Sequence, residues 1–389
     1  MLEKNKLNDI WKITRFNWLG DDAMKINLLD LQAQYKTIKE DVDKAIQQVL
    51  DSSVYIMGPN VKKLEKDIAE FTGVNHGIGV ANGTDALLLA LEAIGVKPGD
   101  EIITTPFTFF ASAETTSVLG ATPVFADILP DTLCINPDEI EKCITEKTKA
   151  IIPVHIFGQM CDMDRIMDIA KKNNLYVIED CAQAIGAEYK GKRAGSIGDI
   201  GTYSFFPTKN LGGYGDGGMV VTNDDEIADR IRLLRAHGSK VKYTYIAIGH
   251  NSRLDEIQAA ILNVKFKHIQ DWNDARNKKA KIYNELLDGT DLVTPTELEE
   301  NKHIYHMYVV QSYKRDKIIN FLKENGISAG IYYPSPVHLQ QVYEYLGYEV
   351  GDLPVAEDAC KKTFALPLYP EIELEKQEYV AKKIKEFFI

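Results

Sequence analysis

The chain has 389 residues, 45 of them basic and 57 acidic, giving a formal net charge of −12; charged residues make up 26% and hydrophobic residues 45%. That is the composition of an ordinary globular protein; the acidic balance argues against nucleic acid, whose phosphates need a cationic face, and no apolar run reaches the ~18 to 20 residues that cross a bilayer. The five cysteines (Cys134, Cys143, Cys161, Cys181 and Cys360) are odd in number and scattered without a C-x-x-C pair, so neither a disulfide framework nor a zinc cage is expected, and a reducing cytoplasm is the simplest location.

The opening segment, MLEKNKLNDIWKITRFNWLG, carries charges and no continuous apolar core, unlike a secretory signal. Regular patterning begins near Ile26, and residues 1–25 are read as an N-terminal extension. From about residue 30 to 235, short apolar runs alternate with helical stretches. Strands are expected at 77–81, 101–105, 123–128, 150–156, 175–180, 201–205 and 218–222, and helices at 84–94, 110–119, 137–143 and 163–173. Several strand segments (AIIPVHI, LYVIED, MVVT) are apolar almost throughout, which suits a sheet covered on both faces. Strand–helix alternation predicts a mainly parallel α/β sheet over residues 26–255. Beyond it, residues 255–287 read as one long helical stretch. Short strands at 306–311 and 327–333, a helix at 315–325 and a last helix from 373 follow. Residues 256–389 are therefore read as a linker helix and a smaller α+β domain.

Three segments carry chemistry. In LYVIEDCAQ an apolar strand ends in Glu179 and Asp180, and functional groups of α/β sheets gather at the carboxyl ends of strands. A carboxylate there serves a ribose, a metal or a cationic ring nitrogen, or simply caps a helix. In GTYSFFPTKNLGGYGDGG a strand runs into a proline, then Lys209, then Gly212, Gly213, Gly215, Gly217 and Gly218. G-x-x-x-x-G-K-[ST] is absent, and so is G-x-G-x-x-G directly after a strand. A lysine at a strand end among aromatic residues is instead partly desolvated, which lowers its pKa and makes it a nucleophile and proton carrier; the plain alternative is a surface lysine in a turn. In ANGTDALLLALEAI a strand ends in a small turn and a helix starts near Thr84. Free N–H groups there suit a phosphate, although Thr84 also reads as an ordinary cap. Together the three segments suggest pyridoxal 5′-phosphate. That cofactor needs a lysine for its aldehyde, an acid against its ring nitrogen and a phosphate cradle.

NGTDALLLAL, PFTFFASAE, VIEDCAQAIGA, SFFPTKNLGGYGDGG and NSRLDEIQAAIL, in that order, closely resemble the DegT/DnrJ/EryC1/StrS family of nucleotide-sugar aminotransferases, and the resemblance runs from about Ile26 to the C-terminus. It implies the type I aminotransferase fold and a homodimer with active sites at the subunit interface. It implies that Lys209 bonds to the cofactor and moves the proton, that Asp180 pairs with the ring nitrogen, and that Gln183 pairs with the ring hydroxyl. Gly83, Thr84 and Ser204 would hold the phosphate, and Asn251 would reach it from the neighbouring subunit. Phe109 matches the position that stacks on the ring, where the family often has Trp or Tyr. A dehydratase branch of the family has His in place of the lysine; Lys209 favours transamination. The family's usual donor is L-glutamate, leaving as 2-oxoglutarate. The implied setting is amino-sugar and polysaccharide biosynthesis.

Substrate signals are sparser. The run G-x-N-S-R-L-D ending at Asp255 looks more like relatives that aminate C3 of a hexose than C4-specific ones, which more often read N-Y-R-L. Arg253 suits a substrate phosphate or carboxylate, or else pairs with Asp255 or Glu256. In IYYPSPVHLQ, which resembles the small-domain loop over the site, Tyr333 and His338 either line the sugar pocket or, for His338, hold structure. His303 and His306 have a metal-like spacing without completing carboxylates or thiols. His155 reads as a core histidine, and Asp162 and Asp164 as caps of the next helix. No metal is expected. Two rival readings are C4 amination and a non-enzymatic cofactor-binding sensor of the same fold.

Overall fold

The structure, a computed structural model, describes residues 24–389; most of the expected N-terminal extension, residues 1–23, lies outside them. Helices α1 (Leu31–Ser52) and α2 (Pro59–Thr72) lead to β1 (His76–Val80), α3 (Gly83–Ala93), β2 (Glu101–Thr104), α4 (Ala111–Val118), β3 (Thr122–Phe125), α5 (Pro137–Cys143), β4 (Thr148–Ile152), α6 (Met163–Asn173) and β5 (Tyr176–Asp180). A hairpin of β6 (Glu188–Tyr189) and β7 (Lys192–Arg193) precedes β8 (Ile200–Ser204), β9 (Gly218–Thr222) and α7 (Asp225–Leu234). A second hairpin, β10 (Ser239–Val241) and β11 (Thr244–Tyr245), is followed by α8 (Glu256–Phe266) and α9 (Ile269–Leu286). The rest comprises β12 (Asn301–Lys302), β13 (Tyr308–Gln311), α10 (Arg315–Glu324), α11 (Pro354–Lys362), β14 (Thr363–Leu366) and α12 (Leu374–Phe388).

Seven strands form one sheet in the order β1-β9-β8-β5-β4-β2-β3. Only β9 runs against its neighbours; the other pairings are parallel. The period of two explains why these strands are apolar on both faces. Ile103, Ile151, Val177, Met219 and Val221 enter one core with α2 and α6, while Ile102, Ile152, Ile178 and Val220 enter another beneath α3 and α7. A third core joins Tyr283, Tyr305, Tyr308, Phe364, Leu366 and Ile384 from the C-terminal elements, and Ile26 belongs to it. We propose a domain division at 255/256; α8 packs back across it on α1 and α2, while α9 packs on α12.

Three expectations change. The strand expected at 150–156 stops at Ile152, because Pro153 has no N–H to continue the ladder; Ile156–Gly158 is instead a short 3₁₀ turn with Phe157 at a φ of 56°. The long helix at 255–287 divides after Phe266 into α8 and α9. No Gly or Pro marks the break; α8 is buried nearly all round, whereas α9 is amphipathic. The strand at 327–333 reduces to single bridges, Ile327 with Ile26 and Gly330 with Ala365. The partner of β13 is β14, which, like α1, α2, α7 and α11, is additional to the expected elements. No described helix is long and apolar enough to cross a membrane.

Candidate active site

Strands β1 and β8 both run antiparallel to β9, so their C-terminal ends lie on the same edge as those of β2, β4 and β5. Strand β9 starts at that edge, with Gly218 opposite both Val80 and Ser204. A Cβ on Gly218 would lie 2.3 Å from the Asn82 carbonyl oxygen, and one on Gly83 would lie 2.6 Å from Ser204 Cβ. Glycine is required at both places for the β1–α3 turn to close on β8. Asn82 caps α3, its Oδ1 accepting from Asp85 N at 2.7 Å. The N–H groups of Gly83 and Thr84 then have no acceptor among the described residues, and with the helix dipole they form an anion site. Ser204 stands beside them.

Asp180 ends β5 and is buried. Its Oδ2 accepts from Ser112 Oγ at 2.8 Å and its Oδ1 from Ala182 N at 3.1 Å. Ser112 Oγ in turn lies 3.0 Å from Thr108 Oγ1. Lys209 sits in the turn after β8, its N–H donating to the Phe206 carbonyl at 2.8 Å. Burial lowers the Lys209 amine from its usual 10.5 to about 8, while the negative charge of Asp180 pulls the other way. The two groups therefore feel one another across the strand ends, as their positions in the sequence suggest. The glycine-rich loop that follows is held by α8: Lys265 Nζ donates to the Gly212 carbonyl at 2.6 Å, and Gln258 Oε1 accepts from Tyr214 N at 2.8 Å.

Gln183 is buried beside this pair. Its Oε1 accepts from Phe157 N at 2.8 Å and its Nε2 donates to Tyr333 Oη at 3.0 Å. The Tyr333 ring lies nearly parallel to Phe157, with centroids 6.5 Å apart. The structure thus brings Gly83, Thr84 and Ser204 to one spot and joins Gln183 to Tyr333, with Asp180 and Lys209 between the strand ends. Phe109, after β2, is 59% exposed and touches none of these groups by hydrogen bond; its face is open to a ligand.

Asn251 and Arg253 lie before α8, and Arg253 Nη2 donates to Asn251 Oδ1. Arg253 has no ion pair with Asp255 or Glu256 among the described residues; the Glu256 carboxylate instead accepts from Asn60 N and Val61 N at the start of α2. Neither Asn251 nor Arg253 bonds to the groups around Lys209 within one chain. His338 is 1% exposed, packed in an aromatic cluster with Phe125 and Tyr348 and 3.5 Å from Glu357 Oε1. Its burial lowers its pKa, and within one chain it faces packing and no open pocket.

The histidines read as structural have partners that explain them. His155 Nε2 meets Glu179 Oε2 at 2.9 Å, and its Nδ1 accepts from Cys161 N at 3.2 Å. Glu179 also accepts from the N–H groups of Gly195, Ile197 and Gly198. His155, Glu179 and Cys181 lie close enough to suggest a metal, but the His and Glu donors are already used. His303 stacks on Tyr305 at 3.8 Å, and burial pushes its pKa down to about 3. Asp162 Oδ1 caps α6 through Arg165 N at 3.3 Å, and Asp164 pairs with Lys190. Ser112, Thr108 and Asn210 are site neighbours that sequence reasoning did not single out, and it noted His306 only for its spacing from His303. Ser112 lies within the PFTFFASAE motif; its place in the first turn of a helix after a strand was the available signal.

These residues fit pyridoxal phosphate. A lysine amine of pKa about 8 suits an aldehyde, a buried aspartate held by two donors suits a ring nitrogen, and the unpartnered N–H pair beside Ser204 suits a phosphate.

The family model described as the DegT/DnrJ/EryC1/StrS aminotransferase family matches residues 36–385. The chain is 53% identical over 368 residues to a Geobacillus stearothermophilus protein named pleiotropic regulatory protein, with 94% of this chain and 99% of that one covered. It is 44% identical over 360 residues to the UDP-N-acetyl-3-dehydro-alpha-D-glucosamine 3-aminotransferase of Acidithiobacillus ferrooxidans, with 92% of this chain and 97% of that one covered. Among solved structures it is similar to S. venezuelae DesV in complex with a ketimine intermediate, at 39% identity and a TM-score of 0.91, covering 93% of this chain and 98% of that one.

Proposed function

Since the chain belongs to the DegT/DnrJ/EryC1/StrS aminotransferase family, whose members are pyridoxal-phosphate-dependent transaminases, we propose that it transfers the amino group of L-glutamate to C3 of a nucleotide-linked keto hexose. The observation that carries this reading is the Lys209 amine, lowered to about 8 and set against the Asp180 carboxylate at the strand ends. The C3 assignment draws on the N-S-R-L-D run and on the 3-amino product of the 44%-identical relative.

When bound, pyridoxal phosphate supplies an aldehyde for the incoming amine and a ring that stores the electron pair left when a carbon loses its proton. In this reading Lys209 Nζ takes the proton from Cα of the donor and returns one to the new amino compound, a task suited to an amine that is partly neutral at physiological pH. Asp180, fixed by Ser112 and Ala182, orients the ring nitrogen. The N–H groups of Gly83 and Thr84, with Ser204, bind the phosphate. Phe109 covers one face of the ring and excludes water. Gln183, steadied by Phe157 N and Tyr333, binds the ring hydroxyl. Arg253 meets the substrate's diphosphate, and Asn251 completes the phosphate site of a partner subunit in a homodimer. Tyr333 borders the sugar pocket, whereas the buried His338 is assigned to packing. The protein works in the cytoplasm, where nucleotide sugars are made.

The name of the 53%-identical relative favours a second reading, a regulator that holds the cofactor without turnover. One experiment separates the two. The full-length protein with pyridoxal phosphate is given L-glutamate, and then UDP- and dTDP-linked 3-keto and 4-keto hexoses. Enzyme predicts 2-oxoglutarate release and a 3-amino sugar by mass spectrometry. A 4-amino product alone refutes the C3 assignment, and no conversion of the cofactor by any amino acid refutes the enzyme.

A further inference from the structure

Behind Lys209 runs a buried chain of polar side chains whose hydrogen positions can be deduced. Asn273 Nδ2 donates to the Ile185 carbonyl at 2.9 Å, which fixes that amide and leaves Oδ1 as acceptor. Asn210 Nδ2 donates to Asn273 Oδ1 at 2.7 Å, with the Ile304 carbonyl 3.5 Å away. Asn210 is thereby fixed as well, and its Oδ1 faces His306 Nδ1 at 3.1 Å. An amide oxygen only accepts, so His306 Nδ1 carries the hydrogen. The cationic groups facing His306 are Lys209 and Arg276, and with burial they hold the imidazole neutral. Arg276 Nη1 donates to the Tyr305, His306 and Leu368 carbonyls. A neutral ring with its hydrogen on Nδ1 has a lone pair on Nε2. That atom is buried and has no partner among the described residues, a costly state for a polar atom.

Building on the reading of Lys209 as the amine that exchanges protons with the substrate, we propose that His306 is a positioning residue for Lys209: its Nε2 accepts a hydrogen bond from the Lys209 amine once that amine is free of the cofactor and protonated. Lys209 is one residue from Asn210, the side chain that orients His306. Its amine bonds to nothing among the described residues, and Lys209 is only partly exposed, so burial disfavours an ammonium formed there. Asp180 is the anion facing it, but besides accepting from Ser112 and Ala182 it is assigned in this reading to the ring nitrogen of the cofactor. A neutral acceptor steadies the ammonium without trapping it, as a second carboxylate would.

The test uses the full-length protein loaded with pyridoxamine 5′-phosphate, which has no aldehyde and leaves the lysine free. Acetylation of Lys209 by acetic anhydride is followed by peptide mass spectrometry across pH; only the neutral amine reacts, so the midpoint reports its pKa. The unaltered protein is expected near pH 8. His306→Asn keeps a donor for Asn210 but lacks an acceptor at Nε2, and its midpoint falls by about one pH unit, roughly tenfold in basicity. His306→Gln restores an oxygen near Nε2 and recovers at least half of that fall. An unmoved midpoint in His306→Asn, or an equal fall in both variants, overturns the proposal. Independently of folding in the variants, the ¹⁵N-histidine spectrum of the unaltered protein should show His306 with a hydrogen on Nδ1 and a bare Nε2; a hydrogen on Nε2 overturns it. The reading of Lys209 itself fails on a different result: borohydride leaving that lysine unmodified in the pyridoxal-phosphate form.

Discussion

Asp180 is held more firmly than a strand-end carboxylate needs for capping, with a hydroxyl on one oxygen and a backbone N–H on the other. Its work in this account depends on charge, so Asp180→Asn keeps the shape and removes the effect. The expected result is a loss of about a hundredfold or more in the half-reaction with glutamate, measured by single-turnover absorbance, with the cofactor still bound; an unchanged rate removes Asp180 from the ring nitrogen. Lys209 and Asp180 stood out in the sequence because one follows and the other ends an apolar strand, whereas Gln183 was assigned only through the family resemblance. His306 was not. Its metal-like spacing from His303, with no carboxylate or thiol to complete a site, pointed only to a structural role; tertiary packing turns His303 onto Tyr305 and His306 onto Asn210. Ser112 was equally hidden, since only the crossing of α4 over the end of β5 brings it to Asp180.

At the level of elements, the site depends on the β1–α3 turn fitting against β8 and β9. Gly218 is the tightest point, and Gly218→Ala places a methyl group 2.3 Å from the Asn82 carbonyl oxygen. The turn must move, carrying the free N–H groups of α3 with it. The variant should bind pyridoxal phosphate at least about tenfold more weakly, read by equilibrium titration, while urea unfolding confirms a folded chain. Unaltered affinity would mean that the phosphate sits elsewhere. The sheet strands were readable because Ile, Val and Ala fill both faces. The break between α8 and α9 was not, since neither Gly nor Pro marks it, and β14 was hidden in a short segment after a helix. The segment 327–333 was expected to be a strand, but it pairs only through single bridges at Ile327 and Gly330.

The whole molecule leaves an apolar surface that one chain does not cover. Leu50, Val54, Tyr55 and Ile56 are each 43–46% exposed, and Ile56 bridges to Asp255, beside Asn251 and Arg253. Exposed apolar residues of this kind suit an interface, and the proposed homodimer would use them to bring Asn251 to its partner's site. Co-expressed Lys209→Ala and Asn251→Ala chains test this sharing. Each variant alone should be nearly inactive, while the mixture recovers roughly a quarter of the unaltered activity, one intact site per mixed dimer. No recovery would mean that each chain completes its own site. The sequence suggested this assembly only through family resemblance, because an interface pattern on one chain looks like ordinary exposed residues.

Every level of the account returns to the Lys209 amine, and the most direct measurement is its covalent capture. The full-length protein carrying pyridoxal phosphate is reduced with borohydride, digested, and its peptides weighed. The account predicts the mass of the reduced cofactor on the peptide containing Lys209, and its absence after Lys209→Ala; an adduct on another lysine, or none at all, would contradict it.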